Sequence, residues 1–254
     1  MQKYFLALAL ATLSVLASTL MISACDDDDN SASDPISTDS TDVIIPVVVD
    51  SILSIPEAVD LGLPSGLLWA SFNLGTTAPE DYGDHYAWGE TETKETYDWS
   101  TYKWCEGNYD KLTKYVSQSQ SSLLGNEGFY DDKITLDPAD DVAHVLLGGP
   151  WRMPTIKEFE ELYRNCTWTW TTQKHVNGYL VQSKTNSNSV FLSAGGTSSG
   201  YNIGSYGYYW SSSLFATFAN SAHGITFHSS HVNTSYYRSR EAGFFVRPVC
   251  VPQD

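Results

Sequence analysis

Basic side chains are scarce in this sequence of 254 residues. Fourteen lysines and arginines stand against 30 aspartates and glutamates, so the formal net charge at pH 7 is −16. Binding to nucleic-acid phosphates needs clustered lysines and arginines, and this charge balance therefore argues against a nucleic acid as partner. Cysteine is scarce too: the chain has four, and none of them forms a C-x-x-C pair, which argues against a catalytic thiol.

The N-terminus carries the features of an export signal. Lys3 is followed by an apolar run over residues 4–21, which ends on Ile22-Ser23-Ala24-Cys25. A short basic start, an apolar core and small residues before the cleavage point predict a signal peptide over residues 1–24. The alternative is a transmembrane anchor, for which a run interrupted by serine and threonine is only marginally apolar.

The cysteine that directly follows these small residues resembles the last position of a bacterial lipobox. This resemblance implies that Cys25 carries lipid and anchors the mature protein to a membrane. Four aspartates follow over residues 26–29 and resemble the surface-export signal of Bacteroidetes lipoproteins. They imply an outer-membrane lipoprotein that faces the cell exterior and meets the membrane through its lipid alone. Because Ser, Thr and Asp dominate the residues that follow, we expect a disordered tether within residues 25–56.

Three cysteines remain once Cys25 is assigned to lipid. Cys105, Cys166 and Cys250 would lie in an oxidising compartment, where one disulfide and one free thiol is the simplest outcome. We favour a disulfide between Cys166 and Cys250, because the end of a helix and a final strand often meet.

The globular part is predicted to be one domain over residues 57–254, since its length suffices for one core and no linker divides it. Thr155 and Glu158 have capping-box spacing, and apolar residues then recur at helical spacing, which predicts a helix over residues 155–165. A shorter helix is expected from Asp137 to Leu147. Strands are predicted twice within residues 59–70 around a Pro-Ser-Gly turn, at 85–89, 167–171, 179–183 and 189–192, and close to the C-terminus before Val249. Few helices, many short strands and long loops, including residues 91–130, indicate an α+β fold.

Five blocks of the globular part match the pattern of one protein family in the right order. They are Val59-Asp60-Leu61-Gly62-Leu63-Pro64-Ser65-Gly66-Leu67-Leu68-Trp69-Ala70, Tyr82-Gly83-Asp84-His85-Tyr86-Ala87-Trp88-Gly89-Glu90-Thr91, Trp151-Arg152-Met153-Pro154-Thr155, Tyr208-Tyr209-Trp210-Ser211-Ser212-Ser213 and Val246-Arg247-Pro248-Val249. On these blocks the chain resembles the Fibrobacter succinogenes major paralogous domain family. The resemblance implies a divergent C-type lectin-like domain with short, mostly antiparallel strands, two short helices and long loops. It also implies kinship with formylglycine-generating enzymes and with diversified variable receptors.

In those relatives, the C-terminal third of the domain carries side chains that contact the ligand, and in some a retroelement diversifies it. Residues 214–242 of this chain are rich in Tyr, His, Asn, Ser, Phe and Thr. Such a composition resembles an antibody paratope, which offers aromatic contact area at little cost in rotamer entropy. The alternative is a set of ordinary exposed strands and turns. We expect ligand-binding side chains at Tyr206, Tyr208, Phe215, His223, His228, His231, Asn233, Tyr236 and Tyr237.

Patterns that indicate catalysis or metal binding are weak. Gly196-Thr197-Ser198-Ser199-Gly200 fits G-x-S-x-G, but turn and strand residues follow it where a nucleophile elbow needs a helix, so we interpret it as a loop. His223, His228 and His231 would need a further ligand and fixed geometry to bind zinc, and we interpret them as surface side chains. The Glu-Pro-Asn and Trp-Asn-Asp motifs of calcium-dependent lectins are absent from the sequence, and no copper-binding cysteine pair can be placed.

We therefore expect a surface-exposed lipoprotein that binds an extracellular glycan or protein, with no cofactor, metal or catalytic residue. The alternative is a structural or adhesive protein of the cell envelope without a discrete ligand site. A third hypothesis is an enzyme acting on extracellular glycans, for which Asp84 and Glu90 are the only acids in an aromatic setting.

Overall fold

A computed structural model describes residues 54–121 and 129–252 of the chain. The predicted signal peptide, Cys25 and the tether up to residue 53 lie outside the described residues. The described part contains three small antiparallel sheets and three α-helices, which is the mixed α+β class that the sequence predicts. All of it belongs to one compact unit.

The first sheet joins the two ends of the described chain. Its strands are β1 (Ala58–Asp60), β2 (Leu68–Ala70), β3 (Trp151–Arg152) and β10 (Val249–Cys250), in the order β1-β2-β10-β3. The two strands predicted around the Pro-Ser-Gly turn are confirmed, and the turn closes through the N–H of Gly66, which donates to the Leu63 carbonyl at 2.9 Å.

The helices follow local signals in the sequence. Helix α1 (Gln118–Ser121) is short, and the segment predicted as one helix from Asp137 divides into a 3₁₀ turn (Pro138–Asp140) and α2 (Val142–Leu147). The division occurs because Asp141 has extended backbone angles and caps α2, accepting from the N–H groups of Ala143 and His144. Helix α3 (Ile156–Asn165) begins at the predicted capping box, which is confirmed in both directions.

Two hairpin sheets complete the domain. Strands β4 (Cys166–Gln173), β5 (Val176–Ser183) and β6 (Ser189–Ser193) form the second sheet, and all three contain a predicted strand. The third sheet consists of β7 (Tyr206–Leu214), β8 (Ser221–His228) and β9 (His231–Ser239), with β8 in the centre. Helix α3 lies against the third sheet, and its Phe159 and Leu162 share one buried cluster with Tyr209, Ile225 and Phe227.

Two strand predictions are wrong or too long. The segment 85–89 makes only an isolated bridge from Tyr86 to Phe244, because Trp88 turns its N–H to the Arg240 carbonyl and Gly89 has a φ of +79°. The C-terminal strand is reduced to Val249–Cys250, since Pro248 precedes it and the chain before that proline bridges other elements.

The predicted disulfide between Cys166 and Cys250 is also wrong. Both are buried free thiols, and Cys105 is a half-buried free thiol. The end of α3 leads Cys166 into the second sheet, where it pairs with Ser183, whereas Cys250 pairs with Leu68 and Trp151 in the first sheet. Burial raises the pKa of Cys166 to about 11, which keeps this thiol protonated at neutral pH.

Among the helices that the structure describes, none has the length and hydropathy required to span a bilayer.

Candidate functional site

The third sheet has two faces of different character. Along β8 the side chains alternate, so that Ile225 and Phe227 enter the core beside α3 while Thr226 and His228 lie on the opposite side. We call the side against α3 the helix face and the opposite side the outer face. The pairing of β8 with β7 contains one register shift, and its pairing with β9 contains another. Each shift changes the face on which the side chains beyond it lie.

Six of the nine predicted binding residues lie together on the outer face. Residues paired across antiparallel strands lie on the same face, and His228 is paired with both Tyr206 and His231. Thr226 is likewise paired with both Tyr208 and Asn233, and Tyr236 is paired with Gly224. The six are Tyr206, Tyr208, His228, His231, Asn233 and Tyr236.

The other three predicted residues form a separate cluster on the helix face. His223 is paired with Tyr237, and the ring of Phe215 stacks on that of Tyr237 at 4.0 Å with an interplanar angle of 6°. The same Phe215 ring meets His223 edge-on at 5.0 Å. The predicted segment therefore supplies two surfaces, because adjacent residues such as Tyr236 and Tyr237 point to opposite faces.

Aromatic rings follow one another across the outer face. The rings of Tyr206 and Tyr208 stack at 6.0 Å and 12°, and Tyr208 also stacks on the buried ring of Phe244 at 5.1 Å. Tyr206 contacts His228 at 5.1 Å, while Tyr208 contacts Tyr236 at 6.0 Å. Rings held by neighbours on several sides present a fixed surface to a ligand.

A cleft of about 420 Å³ opens at one end of this row of rings. Tyr208, Tyr236 and Phe244 form its floor, and we call it the tyrosine cleft. Its walls come partly from distant parts of the chain, which supply Tyr97, Thr197, Ser198, Ser199 and Tyr201, and partly from Arg238, Glu241, Ala242 and Gly243 beside the floor residues. None of these nine is among the predicted binding residues, although Arg238, Glu241 and Ala242 lie within the predicted segment 214–242.

The close approach of these walls requires a glycine at position 243. A Cβ atom at Gly243 would lie 2.8 Å from Ser198 and 2.8 Å from Tyr97, so the chain can approach both segments only without a side chain there. Nothing in the local sequence around Gly243 indicates which two loops approach it.

The G-x-S-x-G segment is one wall of the tyrosine cleft. Its Thr197 N–H donates to the Tyr201 carbonyl at 3.0 Å, and the Gly200 N–H donates to the Thr197 carbonyl at 2.8 Å. Turns follow this loop where a nucleophile elbow would need a helix, which confirms the loop prediction. Ser198 and Ser199 therefore contribute hydroxyl groups to the cleft from a tight loop.

The polar groups of the tyrosine cleft are mostly uncharged. Burial raises the pKa of both Tyr97 and Tyr236, so their hydroxyl groups stay neutral at physiological pH. Burial also raises the pKa of Glu241, against the opposing effect of Arg238. The Oε2 atom of Glu241 is buried and has no hydrogen-bond partner within the described ranges.

A second, shallower depression of about 360 Å³ lies at the other end of the row of rings. It is lined by Trp170 and Asn177 from the second sheet and by Tyr206 and His228 from the third; we call it the histidine depression. The Tyr179 hydroxyl donates to the His228 carbonyl at 3.1 Å and ties the two sheets together beneath it.

The acids and histidines singled out in the sequence have separate partners or lie on separate faces. Glu90 binds Lys94 in a salt bridge of 2.9 Å and accepts from the Lys103 N–H, whereas burial raises the pKa of Asp84, which hydrogen-bonds Tyr86. His228 and His231 are neighbours at 6.0 Å between ring centroids, but His223 lies on the helix face. Within residues 54–121 and 129–252, no three His, Cys, Asp or Glu side chains are grouped closely enough to hold a metal ion.

Comparison of the chain with protein-family models, with curated proteins and with solved structures finds no match.

Proposed function

We propose that this protein is a surface-exposed outer-membrane lipoprotein that binds an extracellular glycan or protein through the outer face of its third sheet. The tyrosine cleft carries the proposal. It combines a fixed aromatic floor, hydroxyl-bearing walls and few charges, as in other surfaces that bind by stacking and adaptable hydrogen bonds.

We also propose a family for this protein, on the basis of the five sequence blocks described above. Resemblance to the Fibrobacter succinogenes major paralogous domain family supports a divergent C-type lectin-like fold, in which the C-terminal third of the domain contacts ligands. The three antiparallel sheets and few helices of the described chain are compatible with such a fold. The export signal and Cys25 support lipid anchoring, and the acidic run that follows supports display on the outside of the cell.

Binding is tested by screening the purified chain against arrays of plant, fungal and mucin glycans and of extracellular-matrix proteins. Tyr201 has 71% of its surface exposed, so Tyr201→Ala can be made with little risk to the fold. We expect Tyr201→Ala and Tyr208→Ala to weaken every specific hit by about tenfold or more.

The matched control is Tyr237→Ala, which removes an exposed ring from the helix face. It should leave the hits unchanged. If Tyr237→Ala removes binding while Tyr201→Ala and Tyr208→Ala do not, the ligand lies on the helix face and the assignment of the site is wrong.

The exposed aromatic cluster around Phe215 favours a second candidate function, a structural or adhesive role in the cell envelope. Phe218 is 52% exposed and Tyr237 is 46% exposed, and both contact Phe215. Exposed aromatic clusters mark surfaces that associate with other proteins. If this role is the right one, Phe218→Ser with Tyr237→Ser should abolish self-association in sedimentation experiments and leave the array empty of specific hits.

A further inference from the structure

The tyrosine cleft and the histidine depression share one face of the sheet and are joined by adjacent rings. Tyr208 lines the cleft and Tyr206 lines the depression, two positions earlier on the same strand. Their rings are stacked at 6.0 Å with an interplanar angle of 12°. The two hollows are therefore the ends of one continuous aromatic track.

The chemistry of the track matches a sugar chain. A pyranose ring has an apolar C–H face, which stacks on an aromatic ring, and a rim of hydroxyl groups, which need hydrogen-bond partners. The track offers stacked tyrosines together with Ser198, Ser199 and Asn177 at its edges. A globular protein partner would instead need a broader surface than two narrow hollows provide.

The charges of the track and of the whole chain favour a neutral sugar over an anionic one. Arg238 and Glu241 are the only Asp, Glu, Lys or Arg side chains among the described residues that line the two hollows. The whole chain carries a net charge of −16, which repels polyanionic glycans at a distance. A neutral chain avoids this repulsion and leaves no unpaired ligand charge in the track.

We propose that the track binds an extended neutral oligosaccharide, which occupies both hollows and crosses the stacked pair Tyr206–Tyr208. This inference rests on the proposed function, namely that the outer face is the ligand site. It adds that one sugar fills only one hollow, and that a chain long enough to reach the second gains affinity from Tyr206, His228 and Trp170.

The inference is tested by calorimetric titration of the full chain with cello-, xylo- and manno-oligosaccharides, each from the single sugar to the hexamer. We expect the affinity to rise by about tenfold or more between the disaccharide and the hexamer of at least one series. His228→Ala and Tyr206→Ala should reduce the hexamer affinity to that of the disaccharide and leave disaccharide binding unchanged. Tyr201→Ala should weaken both, and Tyr237→Ala should change neither.

The outcomes separate the two proposals. If Tyr201→Ala weakens binding but short and long chains bind equally well, or His228→Ala and Tyr206→Ala have no effect on the hexamer, the extended track is refuted while the cleft stands. A Tyr201-dependent protein hit on the array, with no oligosaccharide bound, likewise refutes the sugar chain alone. If none of these substitutions alters an observed binding, the outer face is not the site and both proposals fail.

Discussion

Arg240 and Arg247 are both fully buried, but their surroundings differ. Arg247 donates to the Asn73 side chain at 2.8 Å and to the carbonyls of Ala70, Ser71 and Phe191, and burial lowers its pKa to about 10. It thereby links the start of the described chain to β6. Arg240 donates through Nη1 to two carbonyls, and its guanidinium group faces the rings of Trp88 and Tyr102. Its Nε and Nη2 atoms have no hydrogen-bond partner in the part of the chain that is described.

This difference predicts unequal costs for the same substitution. Arg247→Met leaves four acceptors, three of them buried, without their donor, and each buried acceptor costs about 1–3 kcal/mol. Arg240→Met leaves only two acceptors without their donor, the carbonyls of Lys114 and Tyr115. We expect urea unfolding to show a loss of about 3 kcal/mol or more for Arg247→Met and a clearly smaller loss for Arg240→Met. Equal losses, or the reverse order, would contradict this account.

His85 predicts how stability depends on pH. Burial against Phe245, with 4.1 Å between ring centroids, lowers the pKa of His85 from 6.5 to about 4. Between these two values the unfolded chain binds a proton that the folded chain does not, so the free energy of unfolding falls as the pH drops through this window. The loss should reach at most about 3 kcal/mol near the lower limit.

The measurement is urea unfolding of the wild type and of His85→Asn across this pH range. The asparagine does not titrate, so the difference in unfolding free energy between the two proteins should shrink as the pH falls. Parallel pH profiles would show that His85 has its ordinary pKa in the folded protein.

Single residues also show where sequence reasoning ends. The aromatic composition of the C-terminal segment predicts binding side chains that include Tyr206 and Tyr208, and the structure places both on the outer face of the third sheet. Tyr97 and Ser198 complete the same cleft, but only the approach of their distant segments to Gly243 brings them there. No local pattern encodes that approach, so their role could not be predicted.

At the scale of the element, α3 depends on a complete N-terminal cap. The Thr155 hydroxyl accepts from the Glu158 N–H at 3.3 Å, and the Glu158 carboxylate accepts from the Thr155 N–H at 2.7 Å. The same carboxylate binds Arg152 through two hydrogen bonds of 2.8 and 2.6 Å. The cap thus fixes both the first turn of the helix and the strand β3 that precedes it.

Thr155→Ala should therefore destabilise the protein by about 1 kcal/mol, since one helix N–H loses its acceptor. Thr155→Ser keeps the hydroxyl and should cost much less. Urea unfolding of both variants gives the loss of stability for each, and the difference between the two losses is the contribution of the capping hydroxyl group. If serine costs as much as alanine, the hydroxyl does not stabilise the helix.

Elements were predictable where their signals are local. Helix α3 carries its cap and its apolar positions within a dozen residues, and the Thr–Trp alternation of β4 is equally local. The segment 85–89 has the composition of a strand, but its backbone partners lie beyond residue 239, and they pair with it at only one bridge. Pairing over such a distance depends on the whole fold and left no trace in the local sequence.

At the scale of the whole molecule, the proposed address depends on residues 25–29. Cys25→Ala should abolish the incorporation of labelled fatty acid and release the protein from the membrane fraction, because the lipid is its proposed anchor. Replacing the four aspartates of residues 26–29 by asparagine should leave lipid labelling intact. It should also protect the protein from protease added to intact cells.

The unmodified chain, labelled and digested in the same cells, is the reference for both variants. Fatty acid on Cys25→Ala would show that the anchor lies elsewhere. Digestion of the asparagine variant at the rate of the unmodified chain would show that the acidic run does not direct export to the surface.

The register shifts in the third sheet have a consequence for how this protein can evolve. Strand β9 has one extra residue between Asn233 and Tyr236, and that residue places Tyr236 on the outer face and Tyr237 on the helix face. Substitutions along this segment change the chemistry of either surface without altering which positions belong to it. A single insertion or deletion would instead exchange the two surfaces and bring a core position to the outside. We therefore expect homologous proteins to differ in the residue types of this segment and to keep its length.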